Sequence, residues 1–281
     1  MISRLECCDI EKNERTVLCE INGHIEAPNW PEENTLIYNS EGHLFEYDIA
    51  AKTHTMINTG FADRCNNDHL PSADGKHIAI SHGTREDGRS RVYIVPRKGG
   101  TPRLITALGP SYLHGWSPDG SRLCYCAERN GEYDVYDIPA EGGVERQLTN
   151  APGLNDGCEY SPDGKYIWFN SVRTGLMQIY RMEADGSGQT QMTFGESNNW
   201  FAHVSPDGKH VVYLAYKKGD VAPGSHPGGR YVTLRLMSPD GSEDRELTAV
   251  FGGQGTINVN SWAPDSKRFA FVSYDPDDLD K

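Results

Sequence analysis

A six-bladed β-propeller is the fold class this chain predicts. Three observations carry it: a turn tetrad repeated at a fixed period, four short alternating runs within each period, and a half-repeat at each end. Ser-Pro-Asp-Gly stands intact at residues 117–120, 161–164 and 205–208, with worn copies at 72–75 and 263–266 and a degenerate one at 31–34. Its aspartates, Asp74, Asp119, Asp163 and Asp207, recur at spacings of 45, 44 and 44 residues. A period of about 40–45 residues is the length of a four-stranded propeller blade. The expectation is an all-β ring with four antiparallel strands per blade, occupying residues 1–281 as one domain.

The third unit shows how each period is built. Residues 112–116 lead into the tetrad, and Arg122 to Cys126 alternate as a second strand. Residues 127–132 read as a loop, Tyr133 to Asp137 as a third strand, and Ala140-Glu141-Gly142-Gly143 as a turn into a short fourth over 145–148. Proline at the second turn position fixes φ, while Asp-Gly supplies a side-chain acceptor and a permissive backbone. The tetrad is thus hairpin chemistry rather than a catalytic signature. After the last tetrad only one strand follows, over 268–274, and the chain opens on two strands, 5–9 and 16–19, that lack partners. Asp9, Ile10 and Thr16 align with Asp48, Ile49 and Thr55, each 39 residues on. Both termini are therefore expected to share the sixth blade, which removes the exposed edge of an open sheet. The long step from Asp207 to Asp265 places an irregular Gly- and Pro-rich insertion at 217–230.

Composition narrows the function. A net charge of −13 argues against nucleic acid and anionic membrane as partners. No stretch is apolar enough for a signal peptide or a membrane span, and the seven cysteines lack framework spacing, so a cytoplasmic protein with reduced thiols is expected. No Gly-x-Ser-x-Gly elbow and no phosphate-binding glycine loop is present.

In a meandering blade the connections alternate between two faces. The tetrads occupy one, which reads as repetitive and bland. The opposite mouth collects Asn, His, Asp, Glu and aromatic residues from every unit, and loops on a rigid scaffold are where sites are built. His69, His114 and His203 stand near the tops of first strands in three units, and His226 in the insertion. These four could hold a divalent ion such as Mn, Zn or Ca, or exchange protons near neutral pH. Asp68 and Glu159, with His69 and His114, are candidate acids and bases. Asn67, Tyr112, Glu128, Asn155, Asp156, Arg173, Asn199, Gln254 and Asn258 are candidate ligand-binding residues. Trp200 is the candidate stacking platform for a sugar ring, whereas Trp30, Trp116 and Trp262 read as packing between blades.

The tetrads and blade order resemble the TolB-like six-bladed β-propellers. The segments 65–69, 110–116, 199–203 and 251–259 and the His226-Pro227 loop look like a stand-alone bacterial subgroup of them. A weaker resemblance is to the oligogalacturonate lyases, seven-bladed propellers that hold manganese through histidines and a glutamine at the mouth. That likeness implies a metal set of His69, His114, His203, His226 and Gln254 and carbohydrate chemistry. The leading expectation is a metal-assisted lyase or hydrolase acting on a small saccharide. The alternative is a non-catalytic TolB-like propeller that binds a protein or peptide.

Overall fold

A computed structural model describes residues 1–276. Five sheets each carry four antiparallel strands in sequence order. The first blade comprises Glu26–Glu32, Thr35–Ser40, His43–Asp48 and Thr53–Met56, and the second Cys65–Pro71, His77–Gly83, Ser90–Pro96 and Arg103–Leu104. The third is Ser111–Trp116, Arg122–Arg129, Glu132–Pro139 and Arg146–Gln147, and the fourth Asn155–Tyr160, Tyr166–Ser171, Gln178–Glu183 and Thr190–Gln191. Asn198–Val204, Val211–Tyr216, Arg230–Met237 and Arg245–Gly252 form the fifth. No α-helix occurs among the described residues, and none is long and apolar enough to cross a membrane.

The sixth blade closes the ring as expected. Ile2–Asp9 lies between Glu14–Asn22 and Arg268–Tyr274, pairing Leu5 with Val272 and Cys8 with Phe269. Its innermost position is filled by the irregular segment 256–262, which Val272 and Ala270 reach with their N–H groups at Thr256 and Ser261 carbonyls. Loss of regular pairing follows from the preceding Gly-Gly-Gln-Gly loop. Gly255 has φ +90°, and a Cβ there would lie 2.7 Å from the Tyr274 hydroxyl, so no larger residue fits.

Each tetrad closes its own hairpin. Ser117 Oγ donates to Asp119 Oδ1 at 2.6 Å and accepts from the Arg122 N–H at 2.9 Å, while Asp119 also accepts from the Ser121 N–H. The same bonds recur around Ser161 and Ser205. One expectation is corrected: strand Arg122–Arg129 continues through the supposed 127–132 loop. Asn130 and Gly131, at φ +55° and +83°, make a two-residue hairpin, the turn that Asn-Gly favours.

The innermost strands carry bulges at Glu26/Asn29, Cys65/His69, Leu113/Gly115, Asp156/Glu159 and Trp200/His203. Ala27, Gly157 and Phe201 occupy left-handed backbone within them. An extra residue breaks strict in-out alternation and re-aims its neighbours, here towards the ring axis.

Closure rests on packing as well as pairing, since Leu5 and Val272 are both fully buried. Leu5→Ala is expected to lower unfolding stability by about 3 kcal/mol, by lost transfer and a residual cavity. Val144→Ala, at an exposed turn, serves as a near-neutral control in the same urea titration.

Candidate functional site

The bulged strands and the insertion together enclose a cavity of roughly 440 Å³ at the mouth opposite the tetrads. Eight of the expected residues line it: Asn67, Asp68, Tyr112, His114, Asp156, His226, Gln254 and Asn258. Asn66, Cys126, Tyr133, Leu154, Phe201 and Gly224 complete the wall and were not singled out from sequence as site residues. Phe201 takes the place expected of Trp200. Its left-handed φ turns it to the cavity, while Trp200 goes fully buried into the core with Val212, Leu214 and Tyr216. Trp200 therefore supports His226 from behind, with ring centroids 4.2 Å apart, and offers no face to a ligand.

Asp156 is the electrostatic centre. It accepts from His114 Nε2 at 3.0 Å and from the Gly157 N–H at 2.7 Å, and His226 Nε2 lies 3.9 Å from its second oxygen. Burial alone would push this carboxyl up, but His114's hydrogen bond and charge and the charge on His226 hold it well below the usual range. For His114, burial works against the charged form and is outweighed by Asp156, so its pKa rises. His226 moves down through burial and hydrogen-bonds Gln254 through Nδ1. Across the cavity, burial pushes Asp68 up to about 6, and the negative Asp156 adds to it. Asn66 Nδ2 donates to Asp68 Oδ2 at 2.5 Å, and Asn67 Nδ2 to Glu26 Oε1 at 3.2 Å.

The remaining expected residues lie elsewhere. His69 is fully buried against the backbone of Ala27 and Ile37. His203 points through the ring, its Nδ1 2.6 Å from Glu159 Oε2 and its Nε2 2.5 Å from the Ile257 carbonyl. Glu159 also accepts from Val204 N–H and Asn260 Nδ2, and it lines a different cavity on the tetrad face. Arg173 is spent on Ser171, Asn155 and Gln189, with Asn155 also bonding Asp134. Asn199 bonds Gln178 and Ser197, and Glu128 stands outside the cavity wall. The four-histidine metal set is thus not brought together. Only His114 and His226 share the cavity, each turned to a different oxygen of Asp156 rather than to a common point. Among the described residues no three His, Cys, Asp or Glu side chains are placed to hold a metal ion.

The tetrad face is not bland either. Trp30, Trp116 and Trp262, with Pro118, Pro162, Pro206 and Pro264, rim a cavity of roughly 480 Å³ there. The indole N–H groups of Trp116 and Trp262 donate to the Leu70 and His203 carbonyls, so those two do pack between blades as expected.

Comparisons with known proteins agree with this architecture. Residues 114–225 match the TolB β-propeller domain. The chain is 44% identical over 278 residues to an uncharacterized protein of Agrobacterium fabrum, covering 98% of this chain and 94% of that one. A solved structure from Agrobacterium tumefaciens, provisionally assigned as TolB, superposes with a TM-score of 0.94 at 44% identity, over 98% of this chain and 99% of the other. TolB of Acinetobacter baumannii gives 0.70 at 18% identity, over 90% and 64%. An oligogalacturonate lyase in complex with manganese gives 0.54 at 13%, over 80% and 66%, a likeness of fold alone.

Two outcomes check this electrostatic picture. Asp156→Asn should lower the pKa of His114, read from its ring resonances by NMR, and an unchanged titration would dissolve the pair. His69, pushed down to about 4 by burial, has a folded pKa below its unfolded one. Stability should therefore be complete above about pH 6.5 and fall towards pH 4, by up to about 1.4 kcal/mol per pH unit. His69→Gln should flatten that slope in denaturant titrations.

Proposed function

The chain belongs to the TolB-like β-propeller family, and from that premise we propose that its mouth cavity binds a small saccharide and hydrolyses it by acid catalysis. One observation carries the reading: Asp68 and Asp156 face one cavity with their ionisation pushed in opposite directions. Such separation is how a pair of carboxyl groups divides acid and anion roles. Asp68 retains its proton to about pH 6 and donates it to the leaving oxygen, after which a solvent water adds to the anomeric carbon and returns a proton to Asp68. Asp156, kept ionised by His114, stabilises positive charge developing on the sugar ring. Tyr112, Tyr133 and Phe201 provide apolar faces, and Asn67, Gln254 and Asn258 provide partners for hydroxyl groups.

Hydrolysis is favoured over elimination next to a uronate carboxylate. That chemistry needs a cation to grip the carboxylate, and no Lys or Arg among the described residues lines the cavity. A manganese set like that of the lyases does not fit these side chains, so no step runs through a metal. The second reading, a non-catalytic protein-binding propeller, is favoured by the Trp- and Pro-rimmed cavity on the tetrad face.

A panel of neutral nitrophenyl glycosides tests the proposal. Turnover is expected to decline as pH rises through about 6, where Asp68 loses its proton. Asp68→Asn should cost at least about a hundredfold in kcat, with KM little changed. If no glycoside binds or turns over, or if Asp68→Asn and Asp156→Asn behave as wild type, the reading fails.

A further inference from the structure

The mouth cavity has a charge pattern that the family likeness does not explain. Its titratable lining consists of Asp68, Asp156, His114 and His226, with neutral Tyr112, Tyr133 and Cys126. Glu26 stands directly behind it, hydrogen-bonded by Asn67. The arginine that the sequence assigned to this mouth, Arg173, is bound elsewhere and lies over the Tyr180 ring. A neutral sugar would leave the Asp156 charge answered only by the histidines. A uronate would add repulsion from Asp156 that no Lys or Arg among the described residues of the wall offsets.

Two buried polar atoms of this wall have no partner among the described residues. Asn258 is 1% exposed, and its Nδ2 is buried without an acceptor, while its Oδ1 takes the Gly255 N–H. His114 is 5% exposed and its Nδ1 is likewise unmatched, because Nε2 is committed to Asp156. A buried donor left unpaired is costly, so its presence beside a cavity marks where a ligand oxygen belongs. The wall therefore asks for two things at once: a cationic group near the carboxylates and an oxygen acceptor near Asn258. The aromatic faces of Tyr112, Tyr133 and Phe201 add a surface on which a cation is attracted rather than repelled.

We propose that the ligand is a hydroxylated amine of monosaccharide size, an amino sugar in its protonated form, with the ammonium held by Asp156 and a hydroxyl oxygen accepting from Asn258 Nδ2. This rests on the mouth cavity being the functional site, and it adds the charge class of the ligand to that reading. Asp68, which burial pushes up to about 6 and which Asn66, His114, Asp156 and Glu26 face, keeps its proton for the leaving oxygen at lower pH.

The test is calorimetry with matched panels: D-glucosamine, D-galactosamine and D-mannosamine against their parent hexoses, their N-acetyl forms and the corresponding uronates. The amines are expected to bind at least about tenfold tighter than the parents or the N-acetyl forms. Uronates are expected not to bind. Asp156→Asn should erase the preference, and Asn258→Leu should weaken amine and parent alike. Parent hexoses binding as well as amines, or a preference that survives Asp156→Asn, overturns the charge assignment and leaves the cavity's role standing. If neutral, cationic and anionic sugars all fail to bind, while circular dichroism shows intact folds, both readings fall together.

Discussion

Closure of the ring through the first strand is the constraint on which the rest depends. Ile2–Asp9 pairs on one side with the strand that follows it and on the other with Arg268–Tyr274, from the far end of the chain. A propeller blade touches its two neighbours only, so an unclosed array would expose a sheet face and a strand edge. Once closed, the six innermost segments have no freedom to spread. Their bulges then act as fixed offsets, and Phe201, Asp156, His114 and Asp68, from four different blades, meet at one cavity. None of these contacts is local in sequence.

That geometry explains why the electrostatics differ so sharply across one cavity. Asp68 is buried and Asp156 nearly so, and burial pushes both upward. The decisive difference is the partner. Asp156 has an imidazole at 3.0 Å and a backbone N–H at 2.7 Å, whereas Asp68 has an amide donor and the negative field of Asp156. Charge-assisted bonds outweigh desolvation in the first case and not in the second. Glu159 and His203 form a comparable pair, but the bulge at Asp156/Glu159 sends them through the ring to the opposite side.

Much of the architecture was legible because it is written in local chemistry. The tetrads state where hairpins turn, and the 39-residue offset between Asp9 and Asp48 states that the ends belong to one blade. The site was legible only in part. Sequence put Asp68, His114, Asp156 and Gln254 on one mouth, since they sit just before the first strand or within it. It could not assign His69, His203 and Trp200, because those depend on which side of a bulge a residue falls. Strict alternation would send His69 and His114 to the same face, each five residues before its tetrad's aspartate, Asp74 or Asp119, yet only His114 reaches the cavity. Trp200 and Phe201 are neighbours exchanged by a single left-handed residue, and no composition rule distinguishes them. The tetrad-face cavity escaped notice for another reason. Each Pro and Trp is explained singly by turn and packing chemistry, and only their ring arrangement makes a concave surface.

The insertion at 217–230 joins these strands of argument. It delivers His226 beside Asp156 and Gly224 to the cavity wall, and it is held there by contacts that leave little play. Tyr216 Oη donates to the Pro227 carbonyl at 2.9 Å, and Gln254 receives the His226 ring. Gly253, at φ +103°, lets that same carbonyl approach where any side chain would collide. The longest loop of the ring is therefore docked rather than free, and the backbone that docks it is the glycine loop before the irregular innermost segment of the sixth blade. The blade that closes the ring also fixes the roof of the cavity. Weakening closure should consequently disturb ligand binding before it unfolds the remaining blades, because the roof loses its anchor first.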